Sequence, residues 1–336
     1  MRSFFALLPV CLLTAFTGFG QTNDFYDDAE TKVLTKPVVE IAGEVANPGP
    51  VDLSKLPLRS VIVKEDLLNN GKDKFIGAYR YDGYSLYDIL NSTILKKKNE
   101  AEFSPIIDLY VEVENAAGEK VIFSWGEIYY PIHRHEILIA SQVMRIVPSK
   151  TKELWDLPDE NKLVVAGDLL TERNISNPTK ITVKSFEGKF DIRKGMDPMY
   201  SENFTILREN SVLETISAVP ESMTDYQFPA VFYGRGRGIH GTTPFNGVLL
   251  KQIFSKHFPV NKENLQKGLF IITGKDGYHG AYTFSEVMNR NDQAEFLLVP
   301  VSPNENGGAF RIFPSADFFS DRAVSSVESI RFSVCR

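Results

Sequence analysis

The stretch "LYVEVENAAGEKVIFSWGEI" (residues 109–128) has a counterpart later in the same chain, "LFIITGKDGYHGAYTFSEV" (residues 269–287). Each copy has a run rich in β-branched and aromatic residues, a glycine-containing turn, a second run of this kind and a Ser/Glu pair. Two such runs around a tight turn predict a β-hairpin. The Ser/Glu pair predicts that a short helix begins directly after the second strand.

Four further pairs of segments match in the same order. They are "YDGYSLYDILNS" (81–92) with "FNGVLLKQIFSK" (245–256), "EILIA" (136–140) with "EFLLV" (295–299), "RIVPS" (145–149) with "RIFPS" (311–315), and "DLLTERNISNPTKITV" (168–183) with "DFFSDRAVSSVESIRF" (317–332). In the first of these, a glycine turn is expected before an amphipathic helix, because apolar residues recur at three- and four-residue steps. Five blocks in one order are hard to obtain by chance, so the sequence predicts two copies of one α/β unit.

The two units are expected at residues 38–186 and 204–336. The first opens with "VVEIAGEVANPGPVDLSKLP" (38–57), which predicts a strand, a Pro/Gly turn, a short strand and a polar helix start. It also carries an insertion at about 150–165. Residues 187–203 are polar, contain Gly and Pro, and are expected to form a linker. The predicted fold class is therefore mixed α/β (α+β), in two tandem units.

The first twenty residues are typical of a secretory signal peptide. Arg2 supplies a short positive region, residues 4–16 are almost entirely apolar, and the small residues Gly18 and Gly20 precede the expected cut. The apolar run is too short to span a bilayer, and no later segment is apolar enough to do so. We therefore expect an exported protein, periplasmic or secreted, without a membrane span.

Charge and cysteine content exclude several classes of protein. The chain has 336 residues and a formal net charge of −6, so it is long enough for two domains and lacks the net basic face that general nucleic-acid binding requires. Of its two cysteines, Cys11 lies in the signal segment and Cys335 is next to last. The mature chain is therefore expected to form no internal disulfide and to offer no internal thiol as a nucleophile or metal ligand.

A glycine- and arginine-rich loop is the main candidate for a binding site. It lies in "VFYGRGRGIHGTTPFNGVLL" (231–250), and its candidate ligand-binding residues are Gly234, Arg235, Gly236, Arg237, Gly238 and His240. Glycines allow positive φ and close backbone approach, while arginine and histidine supply charged donors. Such a loop could surround a phosphate or sulfate group with N–H donors. The alternative is a flexible surface loop with solvated arginines. The spacing fits neither GxGxxG nor a P-loop, which disfavours nucleotide binding.

Histidines and carboxylates elsewhere give weaker indications. His133 and His135 share one face of a strand beside Glu136, but a third ligand cannot be identified, so no metal site is predicted. His279 and Tyr278 are expected to be exposed at a hairpin tip. The five histidines are scattered over predicted loops, so no Ser-His-Asp triad, and no other catalytic residue, is identified.

One Asp and one Arg recur at equivalent places in the two copies. These are Asp168 with Arg173 and Asp317 with Arg322. A pair or helix cap within each unit explains their recurrence without a functional role.

The order of the blocks resembles the sulfite-oxidase-type molybdopterin-binding domain. That resemblance implies a mixed α/β fold with a three-layered core, a molybdenum pterin cofactor and oxidoreductase activity. It also implies that the loop at 234–240, and the region of Arg145 and Arg311, lie near the cofactor.

One departure from that family concerns the metal. Family members bind molybdenum through a cysteine thiolate, yet the corresponding regions here, residues 61–83 and 230–247, contain no cysteine. A soft thiolate ligand is not readily replaced by Gly or Asn. We therefore expect an exported, non-catalytic module that binds a small anion or a pterin-type ligand. The alternatives are an active molybdopterin-dependent oxidoreductase without thiolate ligation, and a structural or protein-interaction module with a periplasmic partner.

Overall fold

The protein is mainly β. The computed structural model describes residues 29–301 and 308–336, so the predicted signal peptide at 1–20 lies outside the described residues. Strands make up 43% of it and helices 12%. The predicted α/β fold class is therefore wrong. Short helices do follow the hairpins, as the sequence indicates, but each has only five or six residues and none forms a layer.

The first half of the described chain contains strands β1 to β10 and helices α1 and α2. Their bounds are β1 (Lys32–Val33), β2 (Glu40–Gly43), β3 (Gly49–Pro50), β4 (Arg59–Asn69), β5 (Lys72–Ser85), α1 (Leu86–Leu90), β6 (Leu109–Asn115), β7 (Lys120–Ser124), α2 (Trp125–Tyr129), β8 (Ile137–Arg145), β9 (Lys162–Val165) and β10 (Pro178–Ser185). Single 3-10 turns lie at Leu53–Lys55 and Ile106–Asp108.

The second half contains strands β11 to β21 and helices α3 to α5. Their bounds are β11 (Phe204–Arg208), β12 (Ser211–Ile216), β13 (Tyr226–Phe228), β14 (Phe232–Gly234), β15 (Gly238–Gly241), β16 (Phe245–Leu249), α3 (Leu250–Phe254), α4 (Lys262–Lys267), β17 (Gly268–Gly274), β18 (His279–Thr283), α5 (Phe284–Met288), β19 (Phe296–Pro300), β20 (Phe310–Pro314) and β21 (Val327–Val334). A 3-10 turn lies at Ser320–Arg322.

The strands form four main sheets in an arrangement that resembles a four-bladed β-propeller. Their orders are β4-β5-β8 with β9 and β1 on the free edge of β8, β3-β2-β10-β6-β7, β12-β11-β21-β17-β18, and β13-β16-β19-β20. This architecture replaces the three-layered α/β core that the sulfite-oxidase resemblance implies, so that expectation of the fold is also wrong.

The two halves have the same strand connectivity. In the sheet of β2, β10, β6 and β7, one parallel pair (β2 with β10) is followed by two antiparallel pairs. The sheet of β11, β21, β17 and β18 repeats this order and these directions. A duplicated unit would give this pattern, while the exact unit boundaries at 38–186 and 204–336 stay a prediction.

The register of the sheets corrects one of the five matches. Strand β9 pairs with β8 through Val165 and Ile137, just as β20 pairs with β19 through Pro314 and Phe296. Since β20 is thus the counterpart of β9, Arg311 corresponds to Lys162. The match between "RIVPS" and "RIFPS" is wrong, because the extra residues of the first half separate β8 from β9.

The expected glycine turns before α1 and α3 are also wrong. Gly83 lies inside β5 and Gly247 inside β16. A Cβ at Gly83 would lie 2.2 Å from the Ile139 carbonyl oxygen, and one at Gly247 would lie 2.3 Å from that of Leu298. Glycine is therefore required here for close approach of two strands.

His279, expected at an exposed hairpin tip, is completely buried. Its ring stacks between Phe103, at 4.0 Å, and Phe190, at 3.7 Å. Phe190 belongs to the segment at 187–203, which packs over the hairpin so closely that a Cβ at Gly277 would lie 2.4 Å from the Asp191 carbonyl oxygen. The prediction failed because the sequence does not show that this segment covers the hairpin.

Candidate functional site

The arginine-rich loop is the tip of a separate hairpin, β14–β15. In the first half, the corresponding strands β4 and β5 form one long ladder that continues past a register shift between Glu65 and Asp66. In the second half, Pro229 and Pro244 stand where the ladder would continue. Proline cannot donate a backbone hydrogen bond to a neighbouring strand, so the β14–β15 hairpin is detached from the β13–β16 pair.

Arg235 is held between two groups. Its guanidinium contacts Asp321 Oδ1 at 3.0 Å and lies over the ring of Tyr130, 5.6 Å from its centre. Burial opposes its charge, but Tyr130 and Asp321 together raise the pKa of Arg235 above its ordinary value. Arg235 therefore remains a cation, with its charge partly balanced by Asp321.

The other candidate residues of the loop differ in their environment. Arg237 is exposed and has no hydrogen-bonding or ionic partner among the residues that the structure describes. The exposed His240 packs against Gly234, where a Cβ would lie 2.5 Å from His240 Nε2. Gly238 has φ +74°, as a turn glycine should, whereas Gly236 faces open space. The structure thus brings Arg235, Arg237 and His240 onto one hairpin.

Arg311 is not part of this hairpin. It lies on β20 opposite Val299, and its Nε donates to Ser325 Oγ at 3.2 Å. Arg311 was expected near the loop only because the resemblance to the molybdopterin-binding family implies that both lie near the cofactor.

An aromatic pocket of about 320 Å³ opens beside the hairpin, and sequence reasoning missed it. Six aromatic side chains line it: Phe228, Phe232, Tyr233, Phe313, Phe318 and Phe319. They come from β13, β14, β20 and the loop after β20, so the fold alone brings them together. The one sequence signal was "DFF" in the second copy where the first has "DLL", at 168–170 and 317–319.

The pocket is apolar at its mouth and has a carboxylate in its wall. Ile132, Val231 and Phe318 line it and are 65%, 65% and 52% exposed, so they form one exposed apolar patch. The carboxylate is that of Asp317, which is already bound by Arg322 through bonds of 2.8 and 3.0 Å. A ligand's anionic group is therefore disfavoured inside the pocket and favoured at the hairpin.

Two buried polar atoms near Arg235 lack a hydrogen-bond partner among the described residues. They are the hydroxyl of Tyr130 and Oδ2 of Asp321. Burial, reinforced by Asp321 and opposed by Arg235, raises the pKa of Tyr130 to about 12, so its hydroxyl remains a donor. Buried polar atoms are seldom left unpaired, and a bound water or a ligand group would satisfy them.

Ser85, His135 and Asp88, which are the residue types of a hydrolase triad, lie close together. However, the Ser85 hydroxyl and the Asp88 carboxylate both face Nδ1 of His135, at 3.0 and 3.6 Å. A triad needs them at opposite ring nitrogens. Ser85 is also fully buried and caps α1 by accepting from the Asp88 amide. This cluster is structural.

His133, His135 and Glu136 do not form a metal site. Among the described residues, no group of three or more His, Cys, Asp or Glu side chains is placed to hold a metal ion.

The expected pairs between Asp168 and Arg173 and between Asp317 and Arg322 are confirmed. In each pair, Nε of the arginine donates to the aspartate at 2.8 Å.

The residues present do not fit a molybdenum centre of the sulfite-oxidase type. In the described part of the chain, the one cysteine is Cys335, which lies just after β21 beside Tyr110 and away from the hairpin. Burial raises its pKa to about 11, so it is a poor thiolate ligand.

Comparison with known proteins found no match, whether with protein-family models, with curated proteins or with solved structures. In the described residues, no helix is long and apolar enough to cross a membrane.

Proposed function

We propose that this protein is a binding module for a small molecule with an apolar body and an anionic group. The apolar body occupies the aromatic pocket, and the anionic group lies at the tip of the β14–β15 hairpin. The observation that carries the proposal is that an open pocket lined by six aromatic rings adjoins a hairpin whose Arg237 has no partner in the described part of the chain. If residues 1–20 act as the signal peptide that they resemble, binding takes place outside the cytoplasm.

The pocket has the size and lining of a small-molecule site. Its volume of about 320 Å³ is at the lower end of the usual range for ligand pockets, which are mostly apolar with a few polar groups for orientation. Arg237 is free to bind an anion, whereas Arg235 is already bound by Asp321. We therefore assign the main contact with the anionic group to Arg237 and the contact with the apolar body to Phe318.

A matched pair of dyes tests both parts of the proposal. Anilinonaphthalene sulfonate is an aromatic anion, and N-phenyl-1-naphthylamine is its neutral analogue. We expect saturable 1:1 binding of both dyes, with the anion bound more tightly. Phe318→Ala should weaken both by about tenfold, the effect of losing about 1.4 kcal/mol of aromatic contact. Arg237→Ala should weaken only the anion, and should reduce the salt dependence of its binding.

The first half supplies the control variants. Phe75 is also an exposed aromatic residue, and Lys72 is a cation at the tip of the corresponding β4–β5 hairpin. Phe75→Ala and Lys72→Ala should leave both dissociation constants unchanged. Binding that is unsaturable, or that falls equally in control and pocket variants, would exclude a specific site. The exposed apolar rim would then favour the alternative of a protein-interaction surface.

A further inference from the structure

The junction between the two halves is built around two equivalent buried clusters of charged side chains. In the first, Arg173 contacts Asp168 at 2.7 Å and Glu127 at 2.6 Å. All three side chains are at most 6% exposed.

The second cluster repeats this arrangement with the corresponding residues of the second half. Arg322 contacts Asp317 at 2.8 Å and Glu286 at 2.9 Å, and all three side chains are 2% exposed.

Each glutamate is also bound by the other half. Ser124, which caps α2, donates to Glu286 Oε2 at 2.7 Å. Thr283, which caps α5, donates to Glu127 Oε2 at 2.8 Å. The two helix starts thus exchange side-chain contacts about a local pseudo-twofold axis. Ser124 Oγ also accepts from the Glu127 amide, and Thr283 Oγ1 accepts from the Glu286 amide, so each glutamate carboxyl group lies against the cap of the other glutamate's helix.

Backbone contacts follow the same pseudo-symmetry. The amide of Leu169 donates to the Asn289 carbonyl at 2.7 Å, and that of Phe318 donates to the Tyr130 carbonyl at 2.8 Å. The clusters are therefore held in place by both halves.

The buried charges do not balance. The two clusters contain four carboxyl groups and two guanidinium groups. Two tyrosines face Arg322: the ring centres of Tyr282 and Tyr130 lie 4.8 and 5.9 Å from its guanidinium. The other ionisable groups at the clusters are Arg290, which is paired with Asp292, and His133, Arg134 and Glu136, which line a small cavity of about 40 Å³ at the junction. A buried charge without a partner is costly, and a carboxyl group in that position binds a proton instead.

We propose that Glu127 keeps its proton in the folded chain and donates it in a hydrogen bond to Glu286 across the junction of the two halves, and that loss of this proton weakens the junction. The proton replaces a repulsion between two carboxylates by a hydrogen bond between a carboxylic acid and a carboxylate.

The direction of the pH dependence follows from the environment of Glu127. Burial raises its pKa to about 8; the Arg173 guanidinium opposes this shift and the Glu286 carboxyl adds to it. Because the ordinary value is 4.5, the folded chain binds a proton that the unfolded chain has released. The resulting stabilisation is complete below about pH 4.5 and is lost as the pH rises through about 8.

The test compares the pH dependence of unfolding in the full chain and in Glu127→Gln. Glutamine keeps the shape of the protonated side chain but cannot release a proton. Between pH 6.5 and pH 7.5, one bound proton changes the unfolding equilibrium constant by about tenfold per pH unit. The unfolding equilibrium constant of the wild type should therefore rise with pH by about tenfold more per pH unit than that of Glu127→Gln.

Glu112→Gln is the matched control. Glu112 is also buried, and burial alone would raise its pKa, but Lys184 and Lys120 hold that pKa below its ordinary value. Its carboxylate is thus ionised in this pH range, and the variant should keep the wild-type slope. Equal slopes in wild type and Glu127→Gln would overturn the proposal.

Infrared spectroscopy of the wild-type protein tests for the proton on Glu127 even if Glu127→Gln fails to fold. A C=O stretch of a protonated carboxylic acid should be present at neutral pH and should disappear at alkaline pH. Its absence at neutral pH would also overturn the proposal.

Discussion

Gly126, the second residue of α2, lies directly against the guanidinium of Arg322. A Cβ at this position would lie 2.0 Å from Arg322 Nη1 and 2.3 Å from Cζ. Arg322 is 2% exposed and bound on several sides, so it cannot move away freely. Gly126→Ala should therefore lower the free energy of unfolding by about 1–3 kcal/mol, the usual cost of overpacking a core.

Urea denaturation measures this effect, and Gly236→Ala is its control. A Cβ at Gly236 would have no atom of the described residues within 4 Å, because this glycine lies at the exposed hairpin tip. Its replacement should therefore change the stability by less than about 0.5 kcal/mol. Equal stability of the Gly126 and Gly236 variants would show that Arg322 is not confined as described.

For single residues, the sequence indicated the Asp–Arg pairs that recur in the two copies. It did not indicate the aromatic pocket, which only the fold assembles. The pairs of Asp168 with Arg173 and of Asp317 with Arg322 could be predicted because duplication repeated them at the same spacing. The aromatic pocket could not, because its residues come from segments far apart in the chain. The sequence allowed a positive φ at Gly234, Gly236 and Gly238, but of these three only Gly238 has one.

The residues that cap α2 and α5 also form contacts between the two halves. Ser124 Oγ accepts from the Glu127 amide at 2.9 Å and from Arg322 Nη1 at 3.1 Å, and it donates to Glu286. Ser124→Ala should therefore cost about 2–4 kcal/mol, the sum of a lost cap and of buried charged groups left unpaired.

Ser85→Ala provides the comparison for Ser124→Ala. Ser85 caps α1 in the same way, but its partner Asp88 is also bound by Arg59, so only about 1 kcal/mol should be lost. The measurement is the free energy of unfolding of each of the two variants, compared with that of the wild type. A cost at Ser124 no greater than that at Ser85 would contradict the proposed role of Ser124 at the junction.

The elements themselves were largely predictable, whereas the architecture was not. The hairpin of β6 and β7 and the helix that follows it were evident from residues 109–128, since runs of β-formers, a turn and a cap are local signals. The fold class was wrong because apolar spacing in segments such as 81–92 indicated that most of the segment is an amphipathic helix. In the structure, β5 continues to Ser85 and leaves only five residues for α1.

At the scale of the whole molecule, the pseudo-twofold junction makes the two halves depend on each other. Leu170 of the first half packs into the core of the second, and Phe319, its counterpart, packs against Tyr130 of the first. Separation of the halves would expose these side chains and leave the charged clusters without their partners. The two halves should therefore unfold as one cooperative unit.

The distribution of tryptophan makes this cooperativity directly measurable. The chain has two tryptophans, Trp125 and Trp155, and both lie in the first half. In urea denaturation, tryptophan fluorescence thus reports the first half, while far-UV circular dichroism reports the strands of both. We expect one transition with the same midpoint by both methods. A second transition in circular dichroism, separate from the fluorescence change, would contradict the mutual dependence of the two halves.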